Sequence, residues 1–332
     1  MTHLRKRFSI APMIAWTDRH CRAFHRQFCP EAILYTEMLT TGALIHGPGE
    51  ELLRFDPMEH PVVLQLGGSD PAELARSAQM AEAAGFDAVN LNLGCPSNRV
   101  QKGVFGACLM LQPGRVSDCV SAMRQAVDIP VSVKCRIGID QSDDYEFLHD
   151  FVETLAKTGI DQFIIHARKA ILKGLSPAQN RTIPPLLYDR VYTLKSDFPN
   201  LWITLNGGVT SLAEARQHLE QTDSVMLGRA AYKNPWVIAE ISHGLFGTPL
   251  PGTRSAILEG FLPYVEQQLT DGVSLHAISR HMHGLFNELP GARQYRRFLS
   301  ENDNHPGVGV EVLRQAAALV REEGRWAQCS NA

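Results

Sequence analysis

Short apolar runs alternate with longer stretches of helical period through most of this chain. Segments 8–11, 33–35, 62–66, 88–91, 131–134, 163–166, 202–206 and 224–227 have the length and apolar character of buried strands. Between them, 71–84, 116–127, 145–156 and 212–219 carry apolar residues at three- and four-residue spacing, which predicts helices. Eight consecutive strand-helix units predict an α/β fold, a (β/α)8 TIM barrel, with its site at the carboxyl ends of the strands. A doubly wound open sheet is the competing architecture, but no Gly-x-Gly-x-x-Gly turn follows the first strand. The pattern changes after residue 246. Segment 247–253 is a Gly/Pro-rich linker, and 257–269, 275–285, 292–299 and 310–322 read as helices. The expected domains are therefore a barrel over 1–246 and a small all-helical domain over 254–332.

The expected strands run into polar or special residues. These are Pro12-Met13, Thr36-Glu37, Gln65 with Gly67-Gly68, Asn92 with Cys95, Lys134 with Arg136, His166 with Arg168, Asn206-Gly207-Gly208, and Gly228-Arg229. In a barrel they converge on one mouth. The stretch Asn90-Leu91-Asn92-Leu93-Gly94-Cys95-Pro96 is the most informative. Two asparagines inside a buried strand are costly unless hydrogen-bonded, Gly94 permits close approach to the backbone, and Pro96 fixes the chain direction after the sulfur. A lone cysteine is commonly a small core residue, whereas this context presents Cys95 to a site. The connections 95–106 and 167–185 are long, and long βα loops are where barrels place specificity.

Composition narrows the field without naming a chemistry. The chain has 332 residues, 44% of them hydrophobic and 20% charged, with a net charge of −3. Any nucleic-acid binding must then come from local basic patches. The seven cysteines are scattered, with no Cys-x-x-Cys pair, so reduced thiols fit better than disulfides or zinc. A basic start without an apolar run after it argues against a leader, and no stretch is of membrane length. A cytoplasmic protein is expected, with no metal and no membrane partner, and a monomer by default.

Glycines after the seventh and eighth strands, with Arg229, suit a phosphate: backbone N–H groups and a guanidinium converge where barrels often bind one. A phosphate there, with Pro12, Met13, Gln65 and Lys134 at other strand ends, suggests a flat phosphorylated cofactor, and flavin mononucleotide fits. A lysine can stabilise the negative charge that develops on a reduced flavin. Lys134 as an interior ion pair, Gln65 as a satisfied core amide and His166 as a hydrogen-bonded core residue are the plainer alternatives.

Ala11-Pro12-Met13, Tyr35-Thr36-Glu37-Met38, Gln65-Leu66-Gly67-Gly68, the 90–96 stretch, Val133-Lys134-Cys135-Arg136, His166-Ala167-Arg168 and Asn206-Gly207-Gly208, in that order, resemble the tRNA-dihydrouridine synthases over nearly the whole chain. Trp16-Thr17-Asp18-Arg19-His20, Thr40-Thr41-Gly42-Ala43, Gly174-Leu175-Ser176-Pro177 and Pro290-Gly291-Ala292-Arg293-Gln294 resemble the A-type subfamily. The resemblance implies reduction of uridine in the tRNA D-loop, at positions 20 and 20a, with bound FMN, NADPH as reductant, and an RNA-binding helical domain. It places FMN on Pro12, Met13, Gln65, Lys134, His166, Asn206, Gly207, Gly208, Gly228 and Arg229, and makes Cys95 the proton donor. Cys135 stands where related sequences often carry threonine.

Hydride would go from the flavin to C6 of uracil, and an acid on the other face must protonate C5. A cysteine suits that role, since an ordinary thiol with pKa about 8.5 is mostly protonated near neutrality. Asn92, with Lys134 and His166, is placed to hold the uracil edge. Candidate tRNA contacts are Arg168, Gln179 and Thr182 in the long loop, and Arg293, Arg296 and Arg297 at helical spacing, with Tyr295 and Gln294 alongside. A solvated helix face is the plain alternative for the last three. Arg280, His281, Lys169 and Lys173 add to the basic set. A flavin barrel acting on a free pyrimidine is the rival enzyme, and it would need no basic extension.

Overall fold

The computed structural model describes residues 4–97 and 105–322. Eight parallel strands, β1 (Phe8–Ile10), β2 (Ile33–Thr40), β3 (Val62–Gly67), β4 (Ala88–Leu93), β5 (Val131–Arg136), β6 (Gln162–His166), β7 (Trp202–Asn206) and β8 (Ser224–Leu227), close in sequence order into a barrel. The closing pair is β1 with β8, where Ile10 lies opposite Leu227. Residues facing the helices are apolar and buried, as with Val89, Leu91 and Leu93 on β4, which is why the strands read as continuous apolar runs. Helices start at side-chain caps. Asp70 accepts from the Glu73 N–H before Pro71–Ala83, Asp144 from Phe147 before Tyr145–Ala156, and Ser211 from Glu214 before Leu212–Leu219.

The TIM barrel predicted from periodicity is the fold; β3 to β6 run a residue or two beyond the expected apolar runs, β7 and β8 match them, and β1 ends a residue earlier. β2 differs most, continuing from Tyr35 through Thr36 and Glu37 to Thr40 with a register shift between Tyr35 and Met38. Thr36 bridges the irregularity: its Oγ1 accepts from the Gln65 N–H at 3.0 Å and donates to the Glu37 carbonyl at 2.7 Å. A side chain thus replaces part of the ladder, which period-two reading takes for a strand end.

The chain divides into two compact units, Met1–Arg22 with Glu31–Gly228, and Ala23–Pro30 with Arg229–Ala332. The second includes the helices Arg229–Lys233 and Trp236–Phe246, which precede the Gly/Pro linker at 247–253. Its core joins Phe24 to Phe28 and Phe261, each at 5.2 Å between ring centroids. The helix expected over 275–285 is Leu275–Ser279 followed by tight turns, in which Met282 N–H donates to Ser279 and Leu285 N–H to Met282. The helix expected over 310–322 is the shorter Glu311–Ala317.

Candidate active site at the barrel mouth

The barrel interior changes character along each strand. Ala11, Ile33, Tyr35, Val63, Ala88, Ile164 and Met226 form an apolar cluster. Two residues further along the same strands, and so on the same face, Val63 gives way to Gln65, Ala88 to Asn90, Ile164 to His166, and Met226 to Gly228. The register sets the polar residues beside one another: Gln65 opposite Asn90, Asn92 opposite Lys134, Arg136 opposite His166, and His166 opposite Asn206.

Cys95 follows the end of β4 in a turn built by Asn92. The Asn92 Oδ1 accepts from the Gly94 N–H at 3.1 Å and the Cys95 N–H at 3.0 Å. Its Nδ2 donates to Gln65 Oε1 at 2.8 Å. Cys95 is partly exposed, and its Sγ lies 3.6 Å from the Ser97 hydroxyl. The rest of the expected loop 95–106 lies partly outside the described residues. Cys135 is the opposite case: its side chain points away from the mouth, is fully buried, and its thiol is pushed up to about 12 by that burial. There it serves as a small apolar residue.

Lys134 projects into the mouth, where its Nζ donates to Asn206 Oδ1 at 2.9 Å. Burial, with the neighbouring Arg136 charge, lowers its ammonium to about 7. Asn206 is fixed in turn by donating to the Met226 carbonyl at 2.8 Å. Beyond it, Gly207 and Gly208 have φ of 115° and 80°, the left-handed side that glycine tolerates. A Cβ on Gly208 would stand 2.4 Å from the Tyr188 hydroxyl, which itself donates to the Gly207 carbonyl at 2.9 Å. A Cβ on Gly207 would stand 3.4 Å from His166 Cε1. At His166, Nδ1 accepts from the Arg168 N–H at 3.2 Å, leaving Nε2 as the donor of the ring.

The turn after β1 is also fixed by side chains. Met13 N–H donates to Thr17 Oγ1 at 2.9 Å, and Ala15, with φ of 64°, donates its N–H to the Glu37 carboxylate. Pro12 and Met13 are partly exposed, and Met13 Sδ comes within 3.8 Å of a Cβ placed on Gly228. Arg229 opens the helix Arg229–Lys233 of the second unit.

The long loop after β6 is organised by a residue that the sequence reading missed. Asn180 is fully buried, accepts from the Ile171 N–H at 2.7 Å and donates to the Ile171 carbonyl at 2.9 Å. Arg136 reaches the same loop. Its Nη1 donates to the carbonyls of Lys169 at 3.0 Å and Asn180 at 3.1 Å, while its Nε donates to the Gly94 carbonyl at 2.8 Å. One guanidinium thereby ties the cysteine turn to the loop. Arg168 donates to the Pro184 carbonyl, and Gln179 and Thr182 are exposed around the short turn Gln179–Arg181.

The arginines of the helix Ala292–Asn302 belong to the second unit and are not equivalent. Arg293 is exposed, Arg296 donates to Asn287 Oδ1 at 2.7 Å, and Arg297 pairs with Glu301 at 2.7 Å. Tyr295, expected beside them, is instead buried, 4.7 Å from Phe286 between ring centroids. It occupies the apolar face of the helix together with Leu299. His281 is likewise buried.

Ser132, Tyr188 and Asn180 also belong to this arrangement and were not singled out in the sequence. For Ser132 a signal existed, since it sits on the inward period of β5. No helix among the described residues is long and apolar enough to cross a membrane, and no group of three or more His, Cys, Asp or Glu among them is placed to hold a metal ion.

Comparison with known proteins supplies the remaining observations. A family profile described as dihydrouridine synthase matches residues 9–321. The chain is 57% identical over 325 residues to a tRNA-dihydrouridine(20/20a) synthase of Vibrio vulnificus strain CMCP6, covering 97% of this chain and 99% of that protein. It is 54% identical over 323 residues to the protein of the same name in Escherichia coli K12, covering 97% and 93%. Among solved structures, a 2-naphthoyl-CoA reductase in complex with 2-naphthoyl-CoA superposes with a TM-score of 0.56 at 11% identity, over 72% of this chain and 50% of that one, a likeness of fold alone.

Proposed function

Because the chain belongs to the dihydrouridine synthase family, we propose that it reduces the C5–C6 double bond of uridine at positions 20 and 20a of the tRNA D-loop, with FMN as bound cofactor and NADPH as reductant. The observation that carries this reading is the Cys95 thiol at the open end of β4, with Lys134 directly opposite the asparagine that holds its turn. The protein works as a cytoplasmic monomer in this reading, and the six described cysteines, none of them in a disulfide, suit a reducing compartment.

The residues fit a flavin phosphate. Two successive glycines in left-handed conformation make a turn that no Cβ screens, and any Cβ on Gly208 would fill the space beside Tyr188. A lysine lowered to about 7 beside the mouth gains a counter-charge when an anionic group arrives. Pro12, Met13, Gln65, His166 and Asn206 would line the ring system, and Gly207, Gly208, Gly228 and Arg229 would hold the phosphate. When bound, reduced FMN supplies the hydride for C6 of the uracil.

The side chains of this protein supply the rest. Lys134 stabilises negative charge at the mouth, on the cofactor and on the carbonyl edge of the base. Asn92, His166 and Arg168 orient the uracil. Cys95 Sγ delivers its proton to C5 on the face opposite the hydride, giving 5,6-dihydrouridine and a thiolate that water reprotonates. The target base must leave the folded loop to reach this depth. Gln179 and Thr182 would meet the RNA backbone at the rim, with Arg293, Arg296 and Arg297 as phosphate contacts on the helical unit. Exposed Arg293 is the strongest of those three, because Arg297 is already paired and Arg296 is held by Asn287.

A single cuvette tests this reading. The purified protein should show a flavin spectrum that bleaches with anaerobic NADPH and recovers on adding unmodified tRNA, but not free uracil or uridine. Recovery with free uridine would move the substrate to the free-pyrimidine class, and a colourless protein that FMN cannot reconstitute would remove the cofactor.

A further inference from the structure

The polar interior of the barrel is one directed chain of hydrogen bonds. At its outer end, the backbone N–H groups of Gly94 and Cys95 can only donate, so Asn92 must turn its oxygen toward them. Its amide nitrogen then faces Gln65 Oε1, which forces the Gln65 nitrogen toward Asn90 Oδ1 at 2.8 Å. The Asn90 nitrogen in turn donates to Ser132 Oγ at 2.9 Å. At the inner end the Ser132 hydroxyl donates to the Val89 carbonyl at 3.4 Å, a group that can only accept, and it is also hydrogen-bonded to Tyr35. Three side-chain amides and a hydroxyl therefore share one polarity, dictated at the outer end by main-chain groups and received at the inner end by Ser132. Gln65, Asn90 and Ser132 are buried, so water does not offer them an alternative partner.

Resting on the function proposed above, we infer that Ser132 and Asn90 are positioning residues for the acid step: they lock the amide orientation of Gln65 and Asn92 and so set where the Cys95 thiol stands. Neither touches the mouth. Their effect passes through Asn92, whose oxygen is committed to the cysteine turn. A flipped Asn92 would point two hydrogens at two N–H groups and release that turn. The barrel core thus specifies the site of proton delivery, while Lys134 and the glycine loop lie on a separate branch through Asn206.

The test separates two half-reactions. In flavin-loaded Ser132→Ala, the rate of anaerobic reduction by NADPH and the dissociation constant for tRNA should each stay within about twofold of wild type. Reoxidation of the reduced flavin by tRNA in a single turnover should slow by about tenfold or more, a fraction of the ~10²–10⁴ attributed to a positioned acid. Alkylation of Cys95 by iodoacetamide should change rate in the same variant, and Ser132→Thr, which retains the hydroxyl, should restore both. If the alanine variant does not fold, Ser132→Cys, close in volume but with a weak acceptor, should show the same split. Wild-type reoxidation in Ser132→Ala would overturn the inference, as would equal losses in both half-reactions. Failure of the wild-type protein to reoxidise with tRNA would instead overturn the function on which it rests.

Discussion

The two ends of the barrel interior are built on the same strands with the same alternation, yet they solve different problems. Toward the amino ends, Val63, Ala88, Ile164 and Met226 meet as apolar surface, whose contribution is non-directional and scales with area removed from water. Two residues on, Gln65 donates to Asn90 and His166 accepts from the Arg168 N–H, hydrogen bonds with fixed donors and acceptors. A loss in the first region costs stability and leaves geometry nearly intact, while a loss in the second costs orientation. Stability and chemistry are therefore separable along each strand.

That contrast breaks most sharply at Cys95. Cys95→Ala should lower the rate of tRNA-dependent flavin reoxidation by ~10²–10⁴ in stopped flow, with reduction by NADPH unchanged. Wild-type rates would remove the proton donor and with it the assignment of the polar end. At the apolar end, Ile164→Ala should cost ~2–5 kcal/mol in urea unfolding, with turnover per bound flavin altered less than twofold. A large rate effect there would erase the distinction between the two ends. Gly208→Ala should weaken FMN binding about tenfold, because φ of 80° strains any other residue and its Cβ collides with the Tyr188 hydroxyl. Titration of apoprotein with FMN measures it.

The smallest effect follows from Lys134. Its folded-state value, about 7, lies below the roughly 10.4 of an unfolded lysine. Between those values the unfolded chain holds a proton that the folded chain has lost, so this group makes the flavin-free protein more stable as pH rises across the window. FMN should flatten that slope by restoring the ammonium. Unfolding midpoints at pH 7 and 9, compared with Lys134→Met and with FMN added, would show it, and identical slopes in all three would mean that Lys134 is not desolvated.

Periodicity carried the barrel into view because buried parallel strands are apolar on the face that packs against helices, whatever the inward residues do. It shortened β2 because Thr36 and Glu37 look like a strand end, while Thr36 Oγ1 is in fact carrying the ladder across a bulge. Strand-end chemistry made Cys95, Lys134 and Gly207 legible. Asn180 was not legible, since an asparagine in a loop carries no mark of the partners that bury it, and the period of β5 marked Ser132 as inward without naming its partners. The face of Tyr295 was misread for a related reason: spacing defines a helical stripe but not which stripe the core takes.

Arg136 grips the loop after β6 only by main-chain oxygens, those of Lys169 and Asn180. Those carbonyls persist through any replacement of the exposed side chains Lys173, Gln179 and Thr182. The exposed face of this loop can therefore drift over generations while its tether to the cysteine turn stays unchanged.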